Sequence, residues 1–227
     1  MKKSHIAMLA DFLLVIPLTL FLCMRLPGRG YYITSTLVIV ELIVPFLLAF
    51  ESRRPQAREL VVIAVLSALA VAARVVIPLP HFKAIFAVIM LSGIAFGPEA
   101  GFMTGAAAGL ISNFFFGQGP WTPWQMVSFG FVGYLAGLLF HGTEPKRAPL
   151  LIYGFFSVLI VYGLVMDTAN VLMYSRAVSW QLLLASYASG FAFNLIHAGG
   201  TVVFLLLLRE PVLSKLSRIK TKYGILE

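Results

Sequence analysis

Residues 96–126 read FGPEAGFMTGAAAGLISNFFFGQGPWTPWQM, and this stretch carries the strongest signals for the fold. In its first half, Gly101, Gly105 and Gly109 recur every four residues. Glycines at this spacing form one stripe on a helix and let a second helix approach closely in lipid, where the hydrophobic effect does not drive association. The segment 117–125 then interrupts the apolar pattern with two glycines, two prolines and two tryptophans. We therefore expect a tightly packed helix followed by a stiff loop, with docking of a second protein on the stripe as the alternative.

The composition of the whole chain is that of a membrane protein. Of its 227 residues, 60% are hydrophobic and only 11% are charged, and the mean hydropathy is +0.94. An ordinary soluble domain has roughly 45–50% apolar and 25% charged residues. The length suits one compact helical domain. The single cysteine, Cys23, excludes a disulfide framework.

Apolar runs of helical length define the predicted membrane spans. A bilayer core of about 30 Å requires roughly 20 helical residues, so some runs, such as 84–97, are short. Asp11 and Pro17 interrupt the first run and no small-residue cleavage site follows, so we expect a retained helix rather than a signal peptide. The eight predicted helices cover residues 6–23, 31–50, 60–79, 84–97, 101–116, 124–140, 149–166 and 181–208.

The distribution of basic residues predicts the orientation of these helices. When the N-terminus is placed in the cytoplasm, most of the 17 Lys and Arg residues fall in cytoplasmic loops or near the termini. The chain is therefore predicted to be a multi-pass protein of the cell membrane with both termini in the cytoplasm. The net charge of +8 is then a signal of topology, and it does not indicate nucleic-acid binding.

This topology places segment 117–125, GQGPWTPWQ, on the outer side. Trp121 and Trp124 could belong to an interfacial aromatic belt, which is the usual place of tryptophan in membrane proteins. Alternatively, the two indoles and the amides of Gln118 and Gln125 form the floor of a ligand pocket that opens outward. Pockets for small ligands are mostly apolar and contain a few placed polar groups.

Two further polar segments are predicted on the same side. PLPHFK, residues 78–83, contains His81, and DTANVLMYSRAVSW, residues 167–180, is rich in hydrogen-bonding groups. Three polar and aromatic loops would then share the outer face, which favours extracellular binding of a small molecule. Deeper in the last helix, Asn194 and His197 are expected to form interhelical hydrogen bonds.

A second stripe of small residues lies on the helix predicted at 60–79. Ala64, Ala68 and Ala72 follow one another at four-residue spacing. Such a stripe serves either internal helix packing or the docking of a second membrane protein.

With these features together, the stretch from about Leu60 to Leu208 resembles the S component, the substrate-binding membrane subunit of an energy-coupling factor (ECF) vitamin transporter. The resemblance rests on the alanine stripe, the short second helix, the quoted stretch 96–126 and six spans in that order. It implies an all-α membrane protein with a six-helix S-component-like bundle at 58–227. Residues 1–57 then form an N-terminal extension of two extra transmembrane helices, for which the family pattern provides no role.

The resemblance also implies partners and a substrate class. The alanine stripe at Ala64, Ala68 and Ala72 would dock on the transmembrane coupling subunit, and two cytoplasmic ATPase subunits would supply energy. GQGPWTPWQ is similar to the subset that takes cobalamin-type corrinoids, with riboflavin, a queuosine precursor and pantothenate as alternative substrates. The chain has no G-x-x-x-x-G-K-[ST] loop to hold nucleotide phosphates. This agrees with the expectation that partner subunits hydrolyse ATP. We expect no cofactor, no metal and no nucleic acid.

Arg74 is the most informative single charge for this interpretation. It lies about 14 residues, or roughly 21 Å, along a helix that is predicted to run outward. Its guanidinium could snorkel to the outer interface, or it could face an anionic group such as the phosphate of a cobalamin nucleotide loop. Asp167 is expected to pair with Arg74 or Arg176, or to accept hydrogen bonds from ligand amides. The neutral residues expected in the same pocket are Asn113, Asn170 and Tyr174.

Two other classes of membrane protein fit less well. Metal-dependent membrane enzymes need clustered ligands, whereas the four histidines are scattered and no HExxH spacing occurs. An autonomous secondary transporter or channel would show paired intramembrane charges or repeated halves, and we find no convincing repeat. We therefore predict that the chain is not an enzyme.

Overall fold

The computed structural model describes residues 57–143, 145–175 and 178–224, and the isolated positions 14, 18, 19, 37, 40, 41 and 44. Apart from those isolated positions, the two helices predicted before residue 58 lie outside the described residues, and so does Arg176. Within the described ranges, all regular structure is helical, as the sequence predicts.

The helices follow one another with short connections. Three helical segments of the described part are long and apolar enough to cross a membrane, namely Thr122–Phe140, Arg147–Tyr174 and Trp180–Lys222. The second of these combines two α-helices and the π-helix between them. In chain order the elements are α1 (Ala57–Val75), α2 (Ile85–Phe96), α3 (Pro98–Phe116), α4 (Thr122–Phe140), α5 (Arg147–Phe156), a π-helix (Ser157–Tyr162), α6 (Gly163–Tyr174) and α7 (Trp180–Tyr223).

The short helix α2 lies at the centre of the bundle. Its residues 85–91 are each between 0% and 2% exposed. A helix that is apolar all round is expected to be buried in this way. Gly97, with φ of 97°, forms the tight turn into α3, and Pro98 begins that helix.

The glycine stripe of α3 packs against α4, which confirms the prediction of internal packing. A Cβ atom built on Gly101 would overlap the backbone carbonyl of Gly133, and one on Gly105 would overlap the carbonyl of Phe129. The two backbones are therefore in direct contact, and only glycine fits at these positions.

Two helices extend further than the apolar runs predicted. The run 149–166 continues as helix to Tyr174, because Thr168 and Asp167 make hydrogen bonds to α7 instead of ending the helix. The helix α7 has 44 residues, or about 66 Å, which exceeds a bilayer core of about 30 Å. Beyond residue 208 charged residues lower the hydropathy, but Leu216 is buried among residues of α1, α2 and α3 and keeps the helix in place.

The two ends of the bundle differ in character. One end, called here the Trp121 end, is formed by the connections 76–84 and 117–121 and by residues 175, 178 and 179. The opposite end, called the Arg209 end, is formed by residues 141–143, 145 and 146 and the last turns of α7. There a cavity of about 610 Å³ is lined by residues of α2 and α7 and by Thr143 and Pro145.

Candidate ligand-binding site

Arg74, in the last turn of α1, points into the bundle at the Trp121 end. Its Nη1 donates a hydrogen bond to Oδ1 of Asn113 at 3.1 Å and another to Oγ of Ser112. The guanidinium carbon lies 4.8 Å from the ring centroid of Phe116 and 5.4 Å from that of Phe129. Arg74 is therefore held by α3 and by two aromatic faces, and it does not reach away from the bundle as a snorkelling residue would.

The connection 76–84 brings two more basic side chains to this place. Lys83 is buried, donates from Nζ to the backbone carbonyl of Ile77, and has its Nζ 5.6 Å from the Phe116 centroid. His81 has a left-handed φ of 58°. Burial, and then the charge of Lys83, lower the pKa of His81. Burial, and then the charge of Arg74, lower the pKa of Lys83.

Aromatic rings from four helices and from the connection 76–84 meet next to these basic groups. We call Phe86, Phe129, Tyr162, His81 and His197 the aromatic cluster. The ring centroids of Phe86 and Phe129 are 4.9 Å apart, and those of Tyr162 and His197 are 5.3 Å apart. The ring of His81 lies 5.0 Å from that of His197. Tyr162 belongs to the π-helix, an element that often occurs at functional sites.

The loop 117–121 is tied to α3 by a chain of hydrogen bonds. Gln118 donates from Nε2 to the carbonyl of Leu110 at 3.1 Å and accepts from Oγ1 of Thr122 at 2.8 Å. Asn113 donates from Nδ2 to Oγ1 of Thr122 at 3.0 Å. Asn113 therefore links Arg74 to the start of α4, whereas the amide of Gln118 is bonded to Leu110 of α3 and to Thr122 of α4.

The two tryptophans of the segment occupy different environments. Trp121 is half-buried, whereas Trp124 is only 2% exposed and packs against Val165, Ala169 and Leu172. An interfacial aromatic belt requires rings at the protein surface. Because Trp124 is buried, it does not belong to such a belt.

Buried polar atoms also occur at the start of α4. Nε1 of Trp124 and Oε1 of Gln125 have no hydrogen-bond partner among the described residues. Nδ1 of His197, in the aromatic cluster, is also buried and has no hydrogen-bond partner among the described residues. Most buried polar groups in proteins are satisfied, so these exceptions indicate polar contacts that a ligand could complete.

The polar residues of α6 face α7. Asn194 donates from Nδ2 to Oδ2 of Asp167 at 2.9 Å, which confirms the interhelical hydrogen bond predicted for Asn194. Asn170 lies 3.5 Å from Oγ of Ser186. Tyr174 is 64% exposed. Asp167 and Asn170 therefore lie in a seam between α6 and α7, whereas the exposed Tyr174 does not. All three were expected to line the ligand pocket.

Two expected contacts are not observed. None of the described carboxylates is within salt-bridge distance of Arg74, so the expected pairing with Asp167 does not occur. His197 makes ring contacts in the aromatic cluster and its Nδ1 has no hydrogen-bond partner among the described residues, so the interhelical hydrogen bond predicted for His197 is not observed there. Sequence reasoning also missed Phe86, Phe129 and Tyr162, because buried aromatic residues that line a site have the same hydrophobic pattern as ordinary core residues.

The alanine stripe lies on the opposite side of α1 from the core. Ala64, Ala68 and Ala72 are exposed, whereas Leu66 and Ala70 are buried. The face is apolar, with the small alanine side chains beside larger exposed ones. The larger exposed residues are Leu60, Val61, Val65 and Leu69.

Fold and site together define a multi-pass helical membrane protein with a basic and aromatic site at one end and an exposed apolar face on one helix. The family model described as "ECF-type riboflavin transporter, S component" matches residues 55–213, which include every described residue of this site. The chain belongs to this family. No curated protein and no solved structure gives a significant match to the chain.

Family membership confirms the resemblance seen in the sequence at the level of the ECF S components. It implies a vitamin substrate and an ECF module as partner, and it favours a transporter over a membrane enzyme. The finer assignment to the cobalamin subset is not confirmed, since riboflavin is the substrate in the family's name.

Proposed function

We propose that this chain captures riboflavin for an ATP-driven importer of the ECF type. The observation that carries the proposal is the match to the riboflavin family over residues 55–213. The aromatic cluster supports it, because a planar ring system binds well between aromatic side chains that have a few polar groups beside them. Buried polar atoms of Trp124, Gln125 and His197 could supply those polar contacts.

The corrinoid predicted from GQGPWTPWQ is the second candidate substrate. Several loops at one end suit a large ligand with many peripheral amides. However, Trp124 is buried and the Gln118 amide is bonded to Leu110 and Thr122, so little of the segment remains as a broad platform. These contacts favour the smaller, planar vitamin.

The proposed architecture and assembly follow the family. The Trp121 end would face outward and both termini would lie in the cytoplasm. The described helices would form the six-helix domain, with two extra helices in residues 1–57. The exposed alanine stripe of α1 would dock on the transmembrane coupling subunit, and two cytoplasmic ATPase subunits would hydrolyse ATP.

Calorimetry on the purified chain in detergent tests the substrate. We expect riboflavin to bind with a dissociation constant in the nanomolar range, or roughly −12 kcal/mol. Cobalamin, cobinamide and pantothenate are titrated in parallel, and we expect no binding at the same concentrations. Tight binding of cobalamin without riboflavin would replace the substrate but keep the family. Binding of none of the four would contradict this proposal.

The variants Trp124→Phe and Gln125→Met test whether the buried polar atoms of α4 contact the vitamin. Gln125→Met keeps the approximate size of the side chain and removes its amide, whereas Trp124→Phe removes the indole N–H together with one ring. We expect an affinity loss of about 1 to 3 kcal/mol, or roughly 5- to 150-fold, because a polar group of the bound ligand is left unsatisfied. The thermal stability of the ligand-free Gln125→Met chain should be equal or higher, since an unpartnered buried group is removed. Trp124→Phe should lower the thermal stability, because it also leaves a cavity beside Val165 and Leu172.

Trp180→Phe is the matched control for Trp124→Phe. Trp180 is 60% exposed at the start of α7, so the same substitution there should leave riboflavin affinity unchanged. Unchanged affinity in both α4 variants would assign Trp124 to the core alone and would move the polar contacts of the pocket toward Arg74, His81 and Asp167.

A further inference from the structure

The cavity at the Arg209 end lies apart from the site described above and has a basic lining. Its volume is about 610 Å³, and the residues that α7 contributes include Arg209, Ser214, Ser217 and Lys220. Arg209, Leu213, Ser217 and Lys220 follow one another at spacings of four, four and three residues, so they share one face of α7. The cavity therefore has a guanidinium, an ammonium and two hydroxyls along one helix face.

Arg209 is held in place while part of its guanidinium remains available. Its Nη2 donates a hydrogen bond to the backbone carbonyl of Pro145 at 2.7 Å. Its Nε is buried and has no hydrogen-bond partner among the described residues. A buried donor without an acceptor is unfavourable, and the donors of a guanidinium have a fixed geometry that matches the oxygens of a phosphate. The cavity therefore lacks an acceptor at Arg209 that a phosphate would supply.

The acidic residue on the cavity lining leaves this positive charge largely unbalanced. Oε1 of Glu210 lies 3.8 Å from Nη1 of Arg209, at the outer limit of an ion pair, and the Glu210 side chain is 87% exposed. Water solvates such a carboxylate, so the pair is weak. Lys220 is half-buried, and its Nζ makes no hydrogen bond or ion pair with a described residue. An anion in the cavity would meet two cations and one carboxylate that can turn away into water.

The position of the cavity along α7 favours an anion that also carries acyl chains. The helix is apolar up to Leu208, and residues 209–222 then contain five Lys and Arg residues. Directly before this change, Leu206 and Leu207 are 41% and 62% exposed. Leu206 precedes Leu213 of the cavity lining by seven residues and so lies on the same face of the helix. A free phosphate would leave these leucines unused, whereas the acyl chains of a lipid would cover them.

We propose that the cavity at the Arg209 end is a binding site for the headgroup of an anionic phospholipid. The phosphate oxygens accept hydrogen bonds from Arg209, and Lys220, three turns further along the same face, adds positive charge at the other end of the cavity. In the proposed orientation this end meets the cytoplasmic leaflet, where basic pockets between helices bind anionic headgroups. The proposal goes beyond the proposed function and does not depend on which vitamin is captured.

The test compares two phospholipids with identical acyl chains, phosphatidylglycerol and phosphatidylcholine, on the full chain in detergent. Their apparent affinities are measured by native mass spectrometry. We expect phosphatidylglycerol to bind about tenfold more tightly or better, because hydrogen bonds to charged groups are the stronger class and the choline group of the other lipid is repelled by the two cations. Arg209→Gln and Lys220→Gln should each reduce this preference, with the larger loss for Arg209→Gln.

Lys215→Gln is the matched control, since Lys215 is an exposed cation of the same helix that does not line the cavity. Its replacement should leave the preference unchanged, and a loss equal to that of Arg209→Gln would overturn the site in favour of general attraction to a basic surface. Equal binding of the two lipids by the unaltered chain would also overturn it, whatever the folding of the variants.

Inorganic phosphate distinguishes a lipid headgroup from a free anion. We expect it to displace phosphatidylglycerol only at a large excess, because it lacks the acyl chains that cover Leu206 and Leu207. Displacement at equal concentrations would overturn the lipid assignment and identify a site for free phosphate.

Discussion

Replacing Ala68 with Trp should abolish vitamin uptake by cells that contain the complete transporter, while vitamin binding by the purified chain stays nearly unchanged. Ala68 is exposed at the middle of the stripe on α1, between Ala64 and Ala72. In lipid, helices associate through close backbone approach at small residues. An indole there adds a side chain that covers roughly 150–250 Å² and would hold the coupling subunit away.

Uptake of labelled riboflavin and calorimetric binding are the two measurements. Ile152→Trp is the matched control, because Ile152 is 59% exposed on α5, a helix that packs against α7 and not against α1. That variant should transport normally. The chain expressed without the coupling and ATPase subunits should show only background uptake. Concentrative uptake by the chain alone would contradict the dependence on partners, and equal loss of uptake and binding in Ala68→Trp would indicate internal packing.

Replacing Gly105 with Leu should prevent the chain from folding into a stable, ligand-binding form. The Cα of Gly105 faces the backbone of Phe129 in α4, and even a Cβ atom would overlap that backbone. Overpacking usually costs about 1 to 3 kcal/mol and occasionally more. We expect a cost at the upper end of this range, because the neighbour is backbone, which cannot move aside as a side chain can. We expect loss of the monodisperse peak in detergent and of flavin binding.

Gly199→Ala separates this effect from a general sensitivity to glycine replacement. Gly199 lies within α7, and a Cβ atom there meets nothing within 4 Å. Alanine favours a helix by up to about 1 kcal/mol relative to glycine, so this variant should melt at the same temperature or higher. A Gly105→Leu chain as stable as the unaltered chain would mean that α3 and α4 do not pack as closely as described.

The sequence alone was sufficient for the class, for the family and for most of the helices. Hydropathy and helix-breaking residues placed α2, α3 and α4 within a few residues of their observed ends, because long apolar runs in a membrane protein have few alternatives to helix. The ends of α6 and α7 were predicted too early. Polar residues such as Asp167 end an apolar run without ending a helix, provided that a neighbouring helix satisfies them.

Only the tertiary structure decided what each face of a helix meets. The alanine stripe of α1 and the glycine stripe of α3 have the same four-residue spacing, yet Ala68 is exposed and Gly105 lies against α4. Likewise, Trp121 and Trp124 are three residues apart, and one is half-buried while the other is in the core. Periodicity determines which residues share a face, because it depends on local backbone geometry. Which element packs against that face depends on the positions of helices that are distant in the chain. The partners of Arg74 depend on those positions for the same reason.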